Sequence, residues 1–594
     1  MDDQKIENLL NLAVDATPQE REKSQDLDVG YNTEEQTWEV IVRYGGDFEE
    51  NIPGNWEAVF LSGGYAIITL PQQDLDVLAR LPQVEYVEKP KRLYFGVDAG
   101  RAASCINPVQ TGGFGDVLFG TGVLVAVIDS GVDYFHPDFR NDDGTTRILA
   151  MWDQTGVWTG STASEEVSVV GRIPAGFTAG VEYTKEEIDR ALASGDRAEG
   201  LSIVPEQDSS GHGTEVLGIA AGNGRSSGGR YRGVAPLSDI IVVKLGIPRE
   251  QAFPRTTELM QAIEYVYRKA AEFGLPMAVN ISFGNVYGSH RGNSLLETYM
   301  DMMAGRGRTV IVVGTGNEGN TGGHASGQMT EGEVNQREIE LLISDFETSL
   351  SLQIWKNYAD EFRISIIHPD GSTVGPFGQE IGASRYRLSN TELLVYYGEP
   401  SPYQAGQEVY VDFIPRETYI DSGVWRIVLK PQRIVNGQYE MWISDARARN
   451  AGTHFLQPDA NVTMTIPSAA SQVIAVGAYD ARRNVYASFS GRGWPEENYP
   501  IRPDLVAPGV GITTTAVGGG YVSVTGTSFA APFVTGSTAL MMEWGIIREN
   551  DPYLYGEKVR AYLRKGARQL PGYEQWPNNL LGYGALCLRD SLPE

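Results

Sequence analysis

Short apolar runs mark out the framework of this chain. Val123-Leu124-Val125-Ala126-Val127-Ile128 ends in Asp129, and Val310-Ile311-Val312-Val313 ends in Gly314. Residues 240–243 and 473–476 are of the same kind. Apolar runs without alternation fit strands buried on both faces, as in a parallel sheet. Helix-period stretches such as 185–193 and 257–273 lie between them. Strands alternating with helices predict an α/β core whose parallel sheet is covered on both sides.

Two regions depart from that pattern. In residues 1–95 a short helix over 6–13 precedes strands over 38–44 and 65–70. A helix with apolar Leu75, Val77, Leu78 and Leu81 follows, then a strand over 84–88. This predicts a small, separate α+β unit of ferredoxin-like type. Residues 327–459 instead show short strands over 337–343, 350–355, 363–367, 392–397, 408–414, 424–429 and 439–443. Turns such as Pro369-Asp370-Gly371 and Val435-Asn436-Gly437 separate them. Such punctuation predicts an all-β sandwich or jelly roll. The expected division is 1–95, then 96–326 with 460–594 as the α/β core, and 327–459 inserted between its halves.

Length and composition agree with several domains: 594 residues, 41% apolar, with ten tryptophans. The net charge of −28 argues against nucleic-acid binding, which needs basic surfaces. The two cysteines, Cys105 and Cys587, make no disulfide framework. They are read as free thiols, the alternative being one bridge from the early core to the C-terminus. His136, His290, His324, His368 and His454 have no metal-ligand spacing and are expected to be structural. The start Met1-Asp2-Asp3-Gln4-Lys5 shows no signal peptide, and no apolar run has membrane-spanning length, so cytoplasmic synthesis is expected.

Candidate chemistry lies at the ends of the core elements. In Gly526-Thr527-Ser528-Phe529-Ala530-Ala531-Pro532 a small-residue turn presents one hydroxyl at the start of an apolar helix. Backbone N–H groups and the helix dipole there favour developing negative charge. Alone, such a serine is more often a helix cap, so the reading depends on a base and a carboxylate. Asp129 closes a buried strand, and His212 lies in Gly211-His212-Gly213-Thr214-Glu215 at the start of a helix of small residues. Asn317 follows another buried strand in Gly314-Thr315-Gly316-Asn317-Glu318.

These boxes, in the chain order Asp, His, Asn, Ser, resemble those of the subtilisin-like serine proteases. The resemblance implies Ser528 as nucleophile, His212 as general base and acid, and Asp129 as its orienting carboxylate. It implies Asn317 as an oxyanion-hole donor, beside the backbone N–H of Ser528. Ser282, Phe283 and Gly284 on one side, and Gly314, Thr315 and Gly316 on the other, would wall the substrate cleft. Glu215 stands where many relatives have a second His, and its charge should raise the pKa of His212. Phe529 stands where Met is usual. The long connection from Asp129 to His212, acidic over 165–206, should lie near the active face.

The unit 1–95 resembles a subtilase propeptide, with autocleavage expected around Leu93, Tyr94, Phe95 and Gly96. The whole layout is similar to that of the clostridial Csp germination proteases. That resemblance implies a propeptide that stays bound in the cleft, spore association, and a spore-cortex hydrolase precursor as substrate. No cofactor is implied. For structural calcium, Asn141-Asp142-Asp143-Gly144 lacks convincing spacing and reads as a solvated turn. Two other readings remain: a non-catalytic pseudoprotease acting as scaffold or sensor, and a general degradative subtilase.

Overall fold

The computed structural model describes residues 5–18, 21, 30–33, 35–49, 52–61, 64–89, 96–112, 117–158, 171–246, 254–330, 336–377, 382–400, 405–496 and 498–593. The chain divides into two compact units, Met1–Tyr94 and Phe95–Glu594.

In the first unit an antiparallel sheet runs in the order Val84–Glu88, Thr37–Tyr44, Tyr65–Pro71, Glu57–Leu61. Alternation places Trp38, Val40, Val42, Ala66, Ile68 and Leu70 on the buried face. Leu75, Leu78 and Ala79 of the helix Leu75–Arg80 pack on them. The strand order is ferredoxin-like, but the first crossover, 45–56, carries no helix among its described residues. The helix Asn8–Asp15, which precedes the first long strand, contributes Leu10 and Ala13 to the core instead. Glu57–Leu61 escapes the sequence reading because it is an edge strand with Val59 exposed, so no buried stripe marks it.

The second unit is built on a sheet whose parallel strands run Leu505–Pro508, Ile474–Asp480, Thr309–Gly314, Met277–Ile281, Leu124–Asp129, Asp239–Lys244, Ile148–Asp153. Val181–Thr184 and Val485–Tyr486 are antiparallel additions. The central strand serves both faces. Val125 and Val127 pack under the helices His212–Ala221 and Thr527–Met542. Leu124, Ala126 and Ile128 pack under Thr256–Phe273 and Leu295–Ala304. Chain order reverses between Leu124–Asp129 and Met277–Ile281, and such switch points open a crevice at the strand C-termini. Asp129 and Ser282 lie at that crevice.

The inserted strands form two antiparallel sheets around one core. One runs His324–Gln328, Gln438–Ile443, Leu350–Asn357, Gly406–Pro415, Thr391–Tyr397, Gly382–Leu388; the other runs Thr373–Phe377, Glu361–Ile367, Gly423–Arg433, Arg337–Ile343, His454–Phe455. All seven expected strands are present. His324–Gln328, Thr373–Phe377, Gly382–Leu388 and His454–Phe455 were not foreseen; they are short or half-exposed edge strands.

The cysteines are not free. Cys105 and Cys587 form a disulfide with Cα atoms 4.7 Å apart. The expectation of thiols fails because spacing along the chain says nothing of two segments that the fold brings together. Asn141–Gly144 is a tight turn, with Asp143 accepting from the Thr145 N–H at 2.9 Å. Leu93, Tyr94 and Phe95 lie outside the described residues, and a helix spans Gly96–Ala103.

Candidate active site

Asp129 is fully buried at the end of its strand. Its Oδ1 accepts the Ser130 N–H at 2.8 Å and lies 2.7 Å from Nδ1 of His212. His212 opens its helix against the loop after Asp129. A Cβ on Gly213 would come within 2.2 Å of the Gly131 carbonyl, so only glycine allows this approach. Burial works against the imidazolium, but Asp129, through charge and hydrogen bond, prevails with help from Glu215 and Asp208. The His212 pKa is raised, in the direction foreseen for Glu215.

Ser528 is the second residue of the helix Thr527–Met542, half-buried, and its neighbour Phe529 packs on His212. The imidazole packs between Phe529, at 5.4 Å, and Phe283, at 6.1 Å, centroid to centroid. Ser528 Oγ donates to the Ser282 carbonyl at 3.4 Å. Catalytic hydrogen bonds commonly tighten only when substrate binds. The helix start is tied to the sheet: Ser282 Oγ donates to the Ser528 carbonyl at 3.1 Å and accepts from Asn280 Nδ2 at 2.9 Å.

Asn317 sits opposite. Its Oδ1 accepts the Thr527 N–H at 3.0 Å and the Thr527 hydroxyl at 3.2 Å, which leaves Nδ2 as the donor for a ligand. A cleft joins Ser528 and Asn317 with Ser282, Phe283, Gly284, Gly314 and Gly316. Gly316 has φ +82°, and a Cβ there would collide with Thr465 at 2.5 Å. Thr315 is the exception among the expected cleft residues. It is fully buried, with Oγ1 3.4 Å from the Ser490 hydroxyl behind the wall, because alternation turns it away from its glycine neighbours.

Residues 120–338 and 447–584 match the model of the Subtilase family, and residues 4–91 match that of the Csp protease B prodomain. The chain belongs to the subtilase family of serine endopeptidases. The solved structure of the Clostridium perfringens CspB protease is similar to this subtilase, with 36% identity and a TM-score of 0.74, over 83% of this chain and 96% of that one. The PII-type proteinase of Lactococcus lactis subsp. cremoris is 25% identical over 82% of this chain, which spans 26% of that protein's length. The Vpr minor extracellular protease of Bacillus subtilis is 21% identical over 80% of this chain and 52% of its own.

Several site residues of this subtilase escaped the sequence reading. Asp208, 4% exposed, accepts from Ser130, Gly211 and Thr214 and so joins the Asp129 and His212 boxes. Its position four residues before His212 was the available signal. The cleft is also lined by Glu318, Ala446, Arg447 and Thr465. Arg447 pairs with Asp445 at 2.9 Å and donates to the Gly284 carbonyl at 3.1 Å. Burial pushes the Glu318 carboxyl up. Ala446 and Arg447 arrive from the far end of the insertion, which no local pattern announces. His136, His290, His324 and His368 are buried in hydrogen bonds within the protein.

Proposed function

We propose that this subtilase is an active endopeptidase in which Ser528 attacks the scissile carbonyl. His212 takes the serine proton and returns it to the leaving amine, while Asp129 orients and stabilises the imidazolium. Asn317 Nδ2 and the Ser528 N–H receive the oxyanion. The observation that carries this reading is the 2.7 Å pair of buried Asp129 with His212, beside the cleft that holds Ser528 and Asn317. An extended peptide paired along Ser282–Gly284 would present its side chain to that cleft.

We further propose three domains: a prodomain to residue 95, the protease core of 96–326 with 460–594, and an inserted jelly roll over 327–459. The prodomain is cut from the core by self-cleavage around 93–96 and stays bound as an inhibitor. The substrate is a protein zymogen, such as a spore-cortex hydrolase precursor. This last step rests on the similarity to the Csp prodomain and the CspB protease.

A fluorophosphonate probe tests the chemistry. Labelling of wild type that S528A abolishes is expected, and absence of labelling on folded protein would make the chain a scaffold. Mass spectrometry of wild type and S528A tests self-processing, since cleavage of both near residue 95 would refute it. Sequencing the new N-termini of partner proteins tests selectivity: one dominant cut is expected, and many cuts indicate a degradative enzyme.

A further inference from the structure

The long connection from Asp129 to His212 ends in a loop that grips the turn behind Asp129 at both ends. Asp208 holds Ser130 at one end. Glu206 holds the other: its Oε1 accepts the Val132 N–H at 3.2 Å. Between them Gly131 has φ +119°, and a Cβ there would come within 2.2 Å of Glu206 Oε1. The Gly131 carbonyl is in turn the group on which Gly213, next to His212, packs. Gly131 is therefore held between the Glu206 carboxyl and the helix start that carries His212. A shift of that carboxyl would move the turn behind the acid relative to the base.

Glu206 differs from Asp208 in one respect. Both are buried, at 1% and 4% exposure. Asp208 uses both oxygens on donors, whereas Glu206 Oε2 is buried with no hydrogen-bond partner among the described residues. In a dry interior an unpartnered carboxylate oxygen costs far more than an unpartnered hydroxyl. Burial accordingly pushes the Glu206 carboxyl well above its ordinary range; Lys244 pulls it down, and Asp153 and Asp208 push it up again. Lys244 is engaged elsewhere, since its ammonium donates to the Gln207 carbonyl at 2.6 Å and stands 4.0 Å from Asp153. Tyr134 and Tyr183 are the other titratable groups beside it, and burial holds both neutral. Glu206 thus sits as the neutral acid: one oxygen accepts from Val132, and the other carries the proton.

We propose that Glu206 is a positioning residue for the triad, whose carboxyl fixes Gly131 and Val132 and through them the approach of His212 to Asp129. It touches neither substrate nor reacting atoms. The proposal rests on the reading of Asp129, His212 and Ser528 as a working triad.

Two variants of the full chain separate the acceptor from the charge. E206M keeps an unbranched side chain of similar volume but gives the Val132 N–H no acceptor. E206Q keeps the acceptor and, like the neutral acid, carries no charge. Fluorophosphonate labelling of Ser528 should slow roughly 10- to 10²-fold in E206M, up to the scale of a 1 Å misplacement, and stay within about twofold of wild type in E206Q. The far-downfield proton resonance of the Asp129–His212 hydrogen bond, recorded with His212 protonated, should move in E206M and hold in E206Q.

Melting temperatures test the charge. An acid whose pKa is raised by folding gives stability that is complete below its unfolded value of about 4.3 and is lost as pH rises through the folded value. E206Q should therefore gain on wild type as pH is raised from about 4 to about 8. Should E206M fail to fold, E206D, whose shorter carboxyl withdraws from Val132, takes its place in the labelling and the resonance. Labelling and resonance that match wild type in the acceptor variant overturn the proposal. So does a loss in E206Q equal to that in E206M, or a melting difference that does not change with pH, since either makes the ionised carboxylate the working form. Absence of labelling in wild type would refute the reading of Ser528 instead. The resonance and the melts need no turnover and would still decide on Glu206.

Discussion

Asp208 accepts the Ser130 hydroxyl at 2.9 Å and through it holds together the segments that carry Asp129 and His212. Ser130 Oγ also accepts the Gly213 N–H at 2.9 Å, and the second Asp208 oxygen takes the Thr214 N–H at 2.9 Å and the Thr214 hydroxyl at 2.8 Å. Asp208 is thus a positioning residue. D208N would face the Thr214 donors with an amide N–H or give up the Ser130 and Gly211 bonds. A fall in kcat of about 10²-fold is expected, the scale of a 1 Å misplacement. Steady-state kinetics on a peptide substrate should show this with KM little changed.

Asn317 is exposed, so N317A should fold normally. Loss of an oxyanion donor costs roughly 10²–10³ in kcat. An unchanged KM and an unchanged melting temperature would separate this from a folding defect.

His212 must be neutral to act as base. With its pKa raised above 6.5, kcat/KM should fall on acidification at a pH above that ordinary imidazole value. The Glu215 charge favours the imidazolium, so E215Q should shift the acid limb to lower pH. A pH–rate profile of both proteins checks the sign.

Burial would push the Asp504 carboxyl up, but Arg502, Arg560 and Arg564 surround it and hold it down to about 2. Arg560 and Arg564 each donate to Oδ1 at 2.7 Å, and Arg502 donates to Oδ2. A depressed folded pKa gives stability that is complete above the unfolded value of about 3.9 and lost as pH falls towards 2. Urea unfolding should therefore weaken steeply in that window. D504N leaves the guanidiniums unpaired and should cost about 3–5 kcal/mol at neutral pH.

The disulfide Cys105–Cys587 joins residues 482 apart in sequence. It restricts the unfolded chain, and its removal in a C105S/C587S double variant should cost about 2–4 kcal/mol. Thermal melts with and without reductant check this: reductant should lower the wild-type midpoint and leave the variant's unchanged.

The sequence by itself determined the features that are local. An apolar strand that ends in Asp129 or Gly314, and a helix that starts at His212 or Thr527, are each written in a few adjacent residues. Their order sufficed to name the family. Alternation within 337–443 located the central strands of the insertion, whose side chains split cleanly between core and outer face. Edge strands such as Glu57–Leu61 and Gly382–Leu388 stayed hidden, because half-exposed residues leave no periodic signature. Only the tertiary structure decided which distant segments meet. It turned Thr315 into the core, bonded Cys105 to Cys587, and set Ala446 and Arg447 beside Ser528. It also placed Asp208 between the segments that carry Asp129 and His212. Those outcomes depend on how two sheets and their helices pack, a property of the assembled surfaces that no stretch of neighbouring residues encodes.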